Sequence, residues 1–161
     1  MPVAQNVAQF LKSSGIAYEV MQHPQAFTAQ EVAATVHVTG KEVAKTLVVN
    51  VDGKYLMAVI PAPHKLNLKS LKDVLGAKEV RLATEAELTQ LFPECEVGAM
   101  PPFGNLYNMP VYMSSALKDR NEIIFNACTH TEVIKISYAD FERLVQPKTA
   151  EISGLPTEST R

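Results

Sequence analysis

Val43-Ala44-Lys45-Thr46-Leu47-Val48-Val49-Asn50-Val51-Asp52-Gly53-Lys54-Tyr55-Leu56-Met57-Ala58-Val59-Ile60 is the stretch that decides the fold. Its first half is rich in β-branched residues, and Asp52-Gly53 is the dipeptide that most often closes a two-residue hairpin. The second apolar run, Tyr55 to Ile60, completes an antiparallel pair. Side chains alternate faces along a strand, so Lys45 shares its face with Leu47 and Val49. An ammonium among aliphatics is costly unless it meets a counter-charge or opens into a polar cavity. Two readings follow. Lys45 snorkels from a strand end, or it waits for an anionic or carbonyl-bearing ligand.

Working outward, Val3, Val7, Phe10 and Leu11 follow helical spacing up to Gly15, and Tyr18 to Met21 reads as a short strand. Thr28-Ala29-Gln30-Glu31 is a capping box that opens a helix through about Val36. Beyond the hairpin, Asn67 caps a helix carrying Leu68, Leu71 and Leu75, closed by Gly76. Val80 and Leu82 form a short strand. Thr84-Glu85-Ala86-Glu87 is a second capping box, leading a helix through Phe92. Pro93 to Pro110 holds four of the ten prolines and reads as an ordered, irregular loop. Strands follow at Val111 to Met113, Ile123 to Phe125 and Val133 to Ile136. Ser137 to Asp140 then caps a helix carrying Phe141 and Leu144. From Pro147 the periodicity ends in Ser, Thr, Pro and Glu, so residues 147–161 read as a disordered tail behind one domain, 1–146. Short strands among amphipathic helices, with an antiparallel hairpin, make the class α+β.

Fifteen basic residues against seventeen acidic ones argue against a broad phosphate footprint, and DNA is not an expected partner. Locally, Lys65, Lys69, Lys72, Lys78 and Arg81 outnumber Asp73 and Glu79, and the first three fall at spacings that suit one side of a helix. No apolar run approaches the roughly 20 residues that span a bilayer. The amino terminus has no signal-peptide pattern, so a cytoplasmic protein without a membrane partner is expected. Cys95 and Cys128 make no disulfide framework and fit a reducing compartment.

Metal binding is weakly supported, since only Cys128-Thr129-His130 pairs potential ligands closely. Cys128 and His130 share a face of an extended segment and are a conceivable nucleophile and base, although nothing marks the thiol as activated. Gly98-Ala99-Met100-Pro101-Pro102-Phe103-Gly104 is more informative. Its prolines restrict the backbone and its glycines permit close approach, so it serves either as a rigid turn or as a set of fixed N–H donors for a polarised carbonyl.

Four blocks in order resemble the YbaK/prolyl-tRNA-synthetase-associated editing domain: His23 to Ala33, Val43 to Leu47, Gly98 to Gly104, and Asn126 to His130. The resemblance implies a mixed β-sheet curled into a partial barrel with surrounding helices. It further implies a trans-editing deacylase that hydrolyses the ester of mischarged aminoacyl-tRNA, most often tRNA for proline carrying a small wrong amino acid. Carried over by position, the catalytic residues are Lys45 and Gly98. Substrate-binding residues are Phe27, Thr28, Lys45, Thr46, Met100, Pro101, Pro102, Phe103, Gly104, Cys128 and His130. The expected partners are the acceptor end of mischarged tRNA and prolyl-tRNA synthetase, with no cofactor and no metal. A non-catalytic module of the same fold, binding tRNA ends or a synthetase, is the alternative. Three departures stand out: Cys128 in place of glycine, Ser114 in place of an acidic residue, and a tail after Pro147 without counterpart.

Overall fold

The computed structural model describes residues 5–22, 43–118, 121–129 and 132–154. The central hairpin forms as read, with β2 (Ala44–Val51) antiparallel to β3 (Lys54–Pro61) and Lys45 opposite Ile60. Asp52 and Gly53 both take positive φ, 50° and 91°, as a two-residue turn that follows the strand twist requires. The Asp52 carboxylate accepts from the N–H groups of Lys78 (3.2 Å) and Glu79 (2.8 Å), which ties the turn to the next segment.

Three more strands extend this pair. β5 (Val80–Leu82) adds antiparallel to β2, while β6 (Val111–Ser114) and β9 (Lys148–Ala150) add parallel on the β3 side. The order is β5-β2-β3-β6-β9. A second, antiparallel sheet runs β1 (Glu19–Gln22), β8 (Glu132–Ser137), β7 (Glu122–Asn126). A third is small, pairing β4 (Lys65–Leu66) with β10 (Ser153–Gly154). A parallel bridge between Val43 and Ile124 links the first two sheets. The architecture is mixed α+β, and among the described residues the strands form three sheets and close no barrel.

Four α-helices complete it: α1 (Gln5–Ser13), α2 (Leu68–Leu75), α3 (Glu85–Leu91) and α4 (Tyr138–Val145). Their ends obey the expected chemistry. Asn67 accepts from the Ser70 N–H, and Gly76 ends α2 at φ 63°. Thr84 and Glu87 make both bonds of the capping box on α3. Ser137 accepts from the Asp140 N–H on α4.

The five-stranded sheet buries two faces. On one, Ala44, Val48, Met57, Val59 and Met113 pack with Phe103, Phe125 and Phe141. On the other, Val49, Leu56, Ala58 and Ile60 pack with Leu71 of α2 and with Ile152.

Two expectations need correction. The segment after Pro147 is not a disordered tail as far as Gly154. It supplies β9 and β10, and Ile152 between them is fully buried. Burying one isoleucine is worth about 1.5–3 kcal/mol, which adds to the pairing of β9 with β6 and of β10 with β4. Lys65 does not share a helix face with Lys69 and Lys72, because it lies in β4, before the Asn67 cap. The helix expected from Thr28 to Val36 lies outside the described residues.

Candidate functional site

Lys45 is the second residue of β2, on the face that carries Leu47, Val49 and, across the pair, Ile60. It is half-buried, and neither Lys45 nor Lys65 has a carboxylate partner among the described residues. Burial, and then the neighbouring Lys65 charge, push the Lys45 ammonium below its ordinary pKa. The costly charge anticipated from the strand pattern is therefore present, with a second cation beside it and no carboxylate partner among the described residues.

A residue not singled out for this site, His64, completes the corner. It follows β3, where its N–H donates to the Pro61 carbonyl at 3.0 Å. Its Nδ1 lies 2.8 Å from Ser153 Oγ, and the Ser153 hydroxyl donates to Ser114 Oγ at 2.9 Å. Ser114 is buried and also accepts from the Ala116 N–H at 3.2 Å, as cap of the short 3-10 turn Ser115–Leu117. Burial, and then the Lys45 charge, push His64 below its usual pKa, which favours a neutral imidazole. Two sequence signals pointed here weakly. Pro61-Ala62-Pro63 had to end the strand on the Lys45 side, and Ile152 was one of two large apolar residues in an otherwise polar tail.

The second half of the candidate site is the Gly98 loop. Gly98 is exposed at φ 88°, a conformation that side-chain-bearing residues rarely adopt. The loop is sewn to the turn after β7. Glu96 N–H donates to the Cys128 carbonyl at 2.8 Å, and Cys128 N–H donates to the Ala99 carbonyl at 2.8 Å. Cys128 itself takes φ 71°, where the sequence comparison expected glycine.

A disulfide joins Cys95 to Cys128, with their Cα atoms 4.2 Å apart. This corrects the reading of two unpaired thiols. The cysteines are distant in sequence and become neighbours only when the loop folds onto the turn. In this form Cys128 offers no thiol for nucleophilic attack. Glu94 and the two sulfurs lie within 4.8 Å of one another, but the bond occupies both sulfurs that a soft metal would want as thiolates.

Within the loop, Met100, Phe103 and Cys128 belong to one buried cluster with Ala44 and Val48, and Pro101 and Pro102 are buried as well. Phe103 meets Phe10 and Phe125 edge-on, with ring centroids at 5.6 and 5.2 Å, and so supports the loop from beneath. At Gly104 the close approach is to the protein's own chain. A Cβ there would sit 2.3 Å from the Met109 carbonyl oxygen.

Thr46 leaves β2 on the face of this cluster, opposite to Lys45, and its Oγ1 is buried without a hydrogen-bond partner. Asn126 Oδ1 and Glu132 Oε1, which flank the turn after β7, are likewise buried and unpartnered. The structure thus brings together Thr46, Met100 and Cys128 on one side of β2. Lys45 stands with His64 on the other. Phe27, Thr28 and His130 lie outside the described residues.

Comparison with known proteins gives this arrangement a family. The model of the aminoacyl-tRNA editing domain matches residues 23–144, which include Lys45, the Gly98 loop and the turn after β7. The chain belongs to that family. Among curated relatives, the proline–tRNA ligase of Bacillus mycoides (strain KBAB4) is 29% identical over 125 residues, covering 76% of this chain and 21% of that protein. The enzyme of the same name from Staphylococcus aureus (strain Newman) is 31% identical over 114 residues, 68% of this chain and 19% of that one. The chain thus spans about a fifth of the length of these relatives.

Two solved structures share the fold over nearly all of both chains. The hypothetical protein APE2540 superposes with a TM-score of 0.83 at 26% identity, covering 93% of this chain and 100% of that one. A protein described as "a putative trans-editing enzyme for prolyl tRNA synthetase" gives a TM-score of 0.84 at 22% identity, covering 96% and 98%. The His64–Ser153–Ser114 chain reaches past the family match, since Ser153 lies beyond its end.

Proposed function

We propose that this editing domain is a trans-editing deacylase that hydrolyses the ester of mischarged aminoacyl-tRNA, with tRNA for proline carrying a small wrong amino acid as its principal substrate. The observation that carries the reading is Lys45, a cation at the start of β2 that has no carboxylate partner among the described residues and has Lys65 beside it. A half-buried ammonium in that position is repaid by an anionic ligand, and the backbone phosphates of an acceptor end supply one. Membership of the editing family and the proline–tRNA ligase relatives support the choice of substrate.

In this reading the terminal ribose and phosphate lie against Lys45, the second residue of β2, and the aminoacyl group reaches round that end of the strand toward the Gly98 loop on its other face. Ala99 N–H is engaged by the Glu96 carbonyl and the two prolines have no N–H, so Gly98 and Met100 are the donors left to face a developing oxyanion. Met100 and Cys128 limit the size of the side chain admitted. The buried Thr46 hydroxyl offers a polar contact to the ester or the amine. A synthetase distinguishes neighbouring amino acids by only about 1–3 kcal/mol per methylene, and a second hydrolytic site supplies the rest. The ester is already activated, so positioning a water and stabilising the oxyanion are the main tasks, and no metal is required. The protein then works in the cytoplasm, where tRNA is charged, alongside prolyl-tRNA synthetase.

The test is single-turnover hydrolysis across tRNAs charged with alanine, cysteine, serine and proline. Release of a small amino acid from tRNA for proline, with cognate prolyl-tRNA spared, is the expected result. A folded protein that releases none of them refutes the reading.

A further inference from the structure

Ser153, Ser114 and His64 form a directed hydrogen-bond chain beside Lys45, and its direction fixes what His64 presents to a ligand. Ser114 Oγ accepts twice, from the Ala116 N–H and from the Ser153 hydroxyl. The Ser153 proton is therefore engaged, and its oxygen, 2.8 Å from His64 Nδ1, is left to accept. In that arrangement Nδ1 donates to Ser153, and Nε2 carries the lone pair. Among the described residues, the charge bearing on the ring is the Lys45 ammonium, which opposes a second proton, and Lys65 in turn bears on Lys45. The corner thus combines two donors of positive charge with one neutral acceptor, which is more than a phosphate alone needs.

We propose that His64 Nε2 accepts a hydrogen bond from the ribose hydroxyl adjacent to the scissile ester, while Lys45 holds an anionic oxygen of the same nucleotide, and that Ser153 is the positioning residue that fixes the imidazole for this task. The inference rests on the deacylase reading and adds to it the group that recognises the sugar. A sugar carrying both a hydroxyl and a phosphate oxygen within a few ångströms matches an acceptor beside a cation, and a terminal ribonucleotide has that pair. The device depends on the return of the chain through β9 and β10. Ile152 anchors the return in the apolar face shared with Ile60 and Leu71, Asn67 N–H donates to the Ile152 carbonyl at 2.7 Å, and Ser153 is thereby set against His64. Beyond the family match, that return therefore has a stated role.

The experiment is a cycle between protein and substrate. The probes are two acceptor-stem oligonucleotides ending in adenosine that carries alanine through a hydrolysis-resistant amide, one with the neighbouring ribose hydroxyl and one with hydrogen in its place. Binding of each is measured for the wild type, for His64→Asn, whose amide can still donate to Ser153 but offers nothing at the Nε2 position, and for Ser153→Ala. The wild type is expected to lose about fivefold to tenfold in affinity when the hydroxyl is removed, the value of one hydrogen bond. His64→Asn should bind both probes within about twofold of each other. Ser153→Ala should fall between them, with a melting temperature close to that of the parent. If His64→Asn retains the full hydroxyl effect, or weakens both probes equally, the proposal is overturned and His64 is only structural. The same wild-type preparation is assayed for hydrolysis of alanyl-tRNA. Activity there, with no hydroxyl effect on binding, defeats the ribose assignment alone, whereas inactivity on every charged tRNA defeats the deacylase reading and this inference with it.

Discussion

Opening the Cys95–Cys128 bond should cost much stability and comparatively little chemistry. The bond closes a loop with a sequence separation of 33. Confining the unfolded chain over such a loop removes on the order of 12 cal/mol/K, or about 4 kcal/mol at room temperature. That is a large part of the 5–15 kcal/mol typical of a folded domain. The loop is also held by two backbone bonds, Glu96 N–H to Cys128 O and Cys128 N–H to Ala99 O, both independent of the sulfurs. Each contributes about 1 kcal/mol, so the loop stays seated when the sulfurs part. Urea unfolding with and without a dithiol reductant measures the difference. With a slope of about 2 kcal/mol per molar urea, the midpoint should fall by about 2 M. Thiol counting by mass spectrometry on the native protein fixes the redox state in each sample. An unchanged midpoint, with two alkylatable thiols before reduction, would refute the bond. A full loss of hydrolysis on reduction, with the fold intact, would show that the two backbone bonds do not hold the loop.

Three further outcomes are expected. Gly98→Val, at φ 88°, forces the loop out of the left-handed region and should cut turnover by on the order of a hundredfold while costing about 1–3 kcal/mol in stability; an unchanged rate would make the loop a plain turn. Gly104→Ala places a Cβ 2.3 Å from the backbone oxygen of Met109 and should destabilise the fold by about 1–3 kcal/mol in denaturant unfolding, so a neutral result would contradict the packing described. Glu87 receives bonds from Arg81, Tyr55 and the Thr84 N–H, which hold its carboxyl well below the ordinary 4.5. Its stabilising effect is therefore complete above that unfolded value and lost as pH falls toward the folded one; the gap in melting temperature between wild type and Glu87→Gln should shrink between pH 7 and about pH 3, and a constant gap would contradict this.

The hairpin could be read from sequence because three local signals agreed: β-branched runs, an Asp-Gly pair and an alternation that exposed Lys45 as the exception. The caps at Asn67 and Thr84 were legible for the same reason, since a cap is decided within four residues. What escaped reading was decided at long range. β9 and β10 have three and two residues, too few for any period, and they exist because β6 and β4 present free edges and Ile152 fills a core. Ser153 was therefore invisible as a partner of His64. Lys65 matched the helical spacing of Lys69 and Lys72, yet the Asn67 cap between them starts the helix later. The disulfide depends on the loop meeting the turn after β7, a contact that no local pattern announces.

The central claim is that Lys45 serves an anionic ligand in ester hydrolysis and is not a snorkelling strand residue. Single-turnover hydrolysis of alanylated tRNA for proline by the wild type, Lys45→Ala and Lys45→Met tests it most directly. Removing a half-buried charge that has no carboxylate partner among the described residues should leave the melting temperature unchanged or raise it. The account predicts a folded Lys45→Ala protein in which hydrolysis is abolished. A folded variant that turns over at the wild-type rate contradicts it.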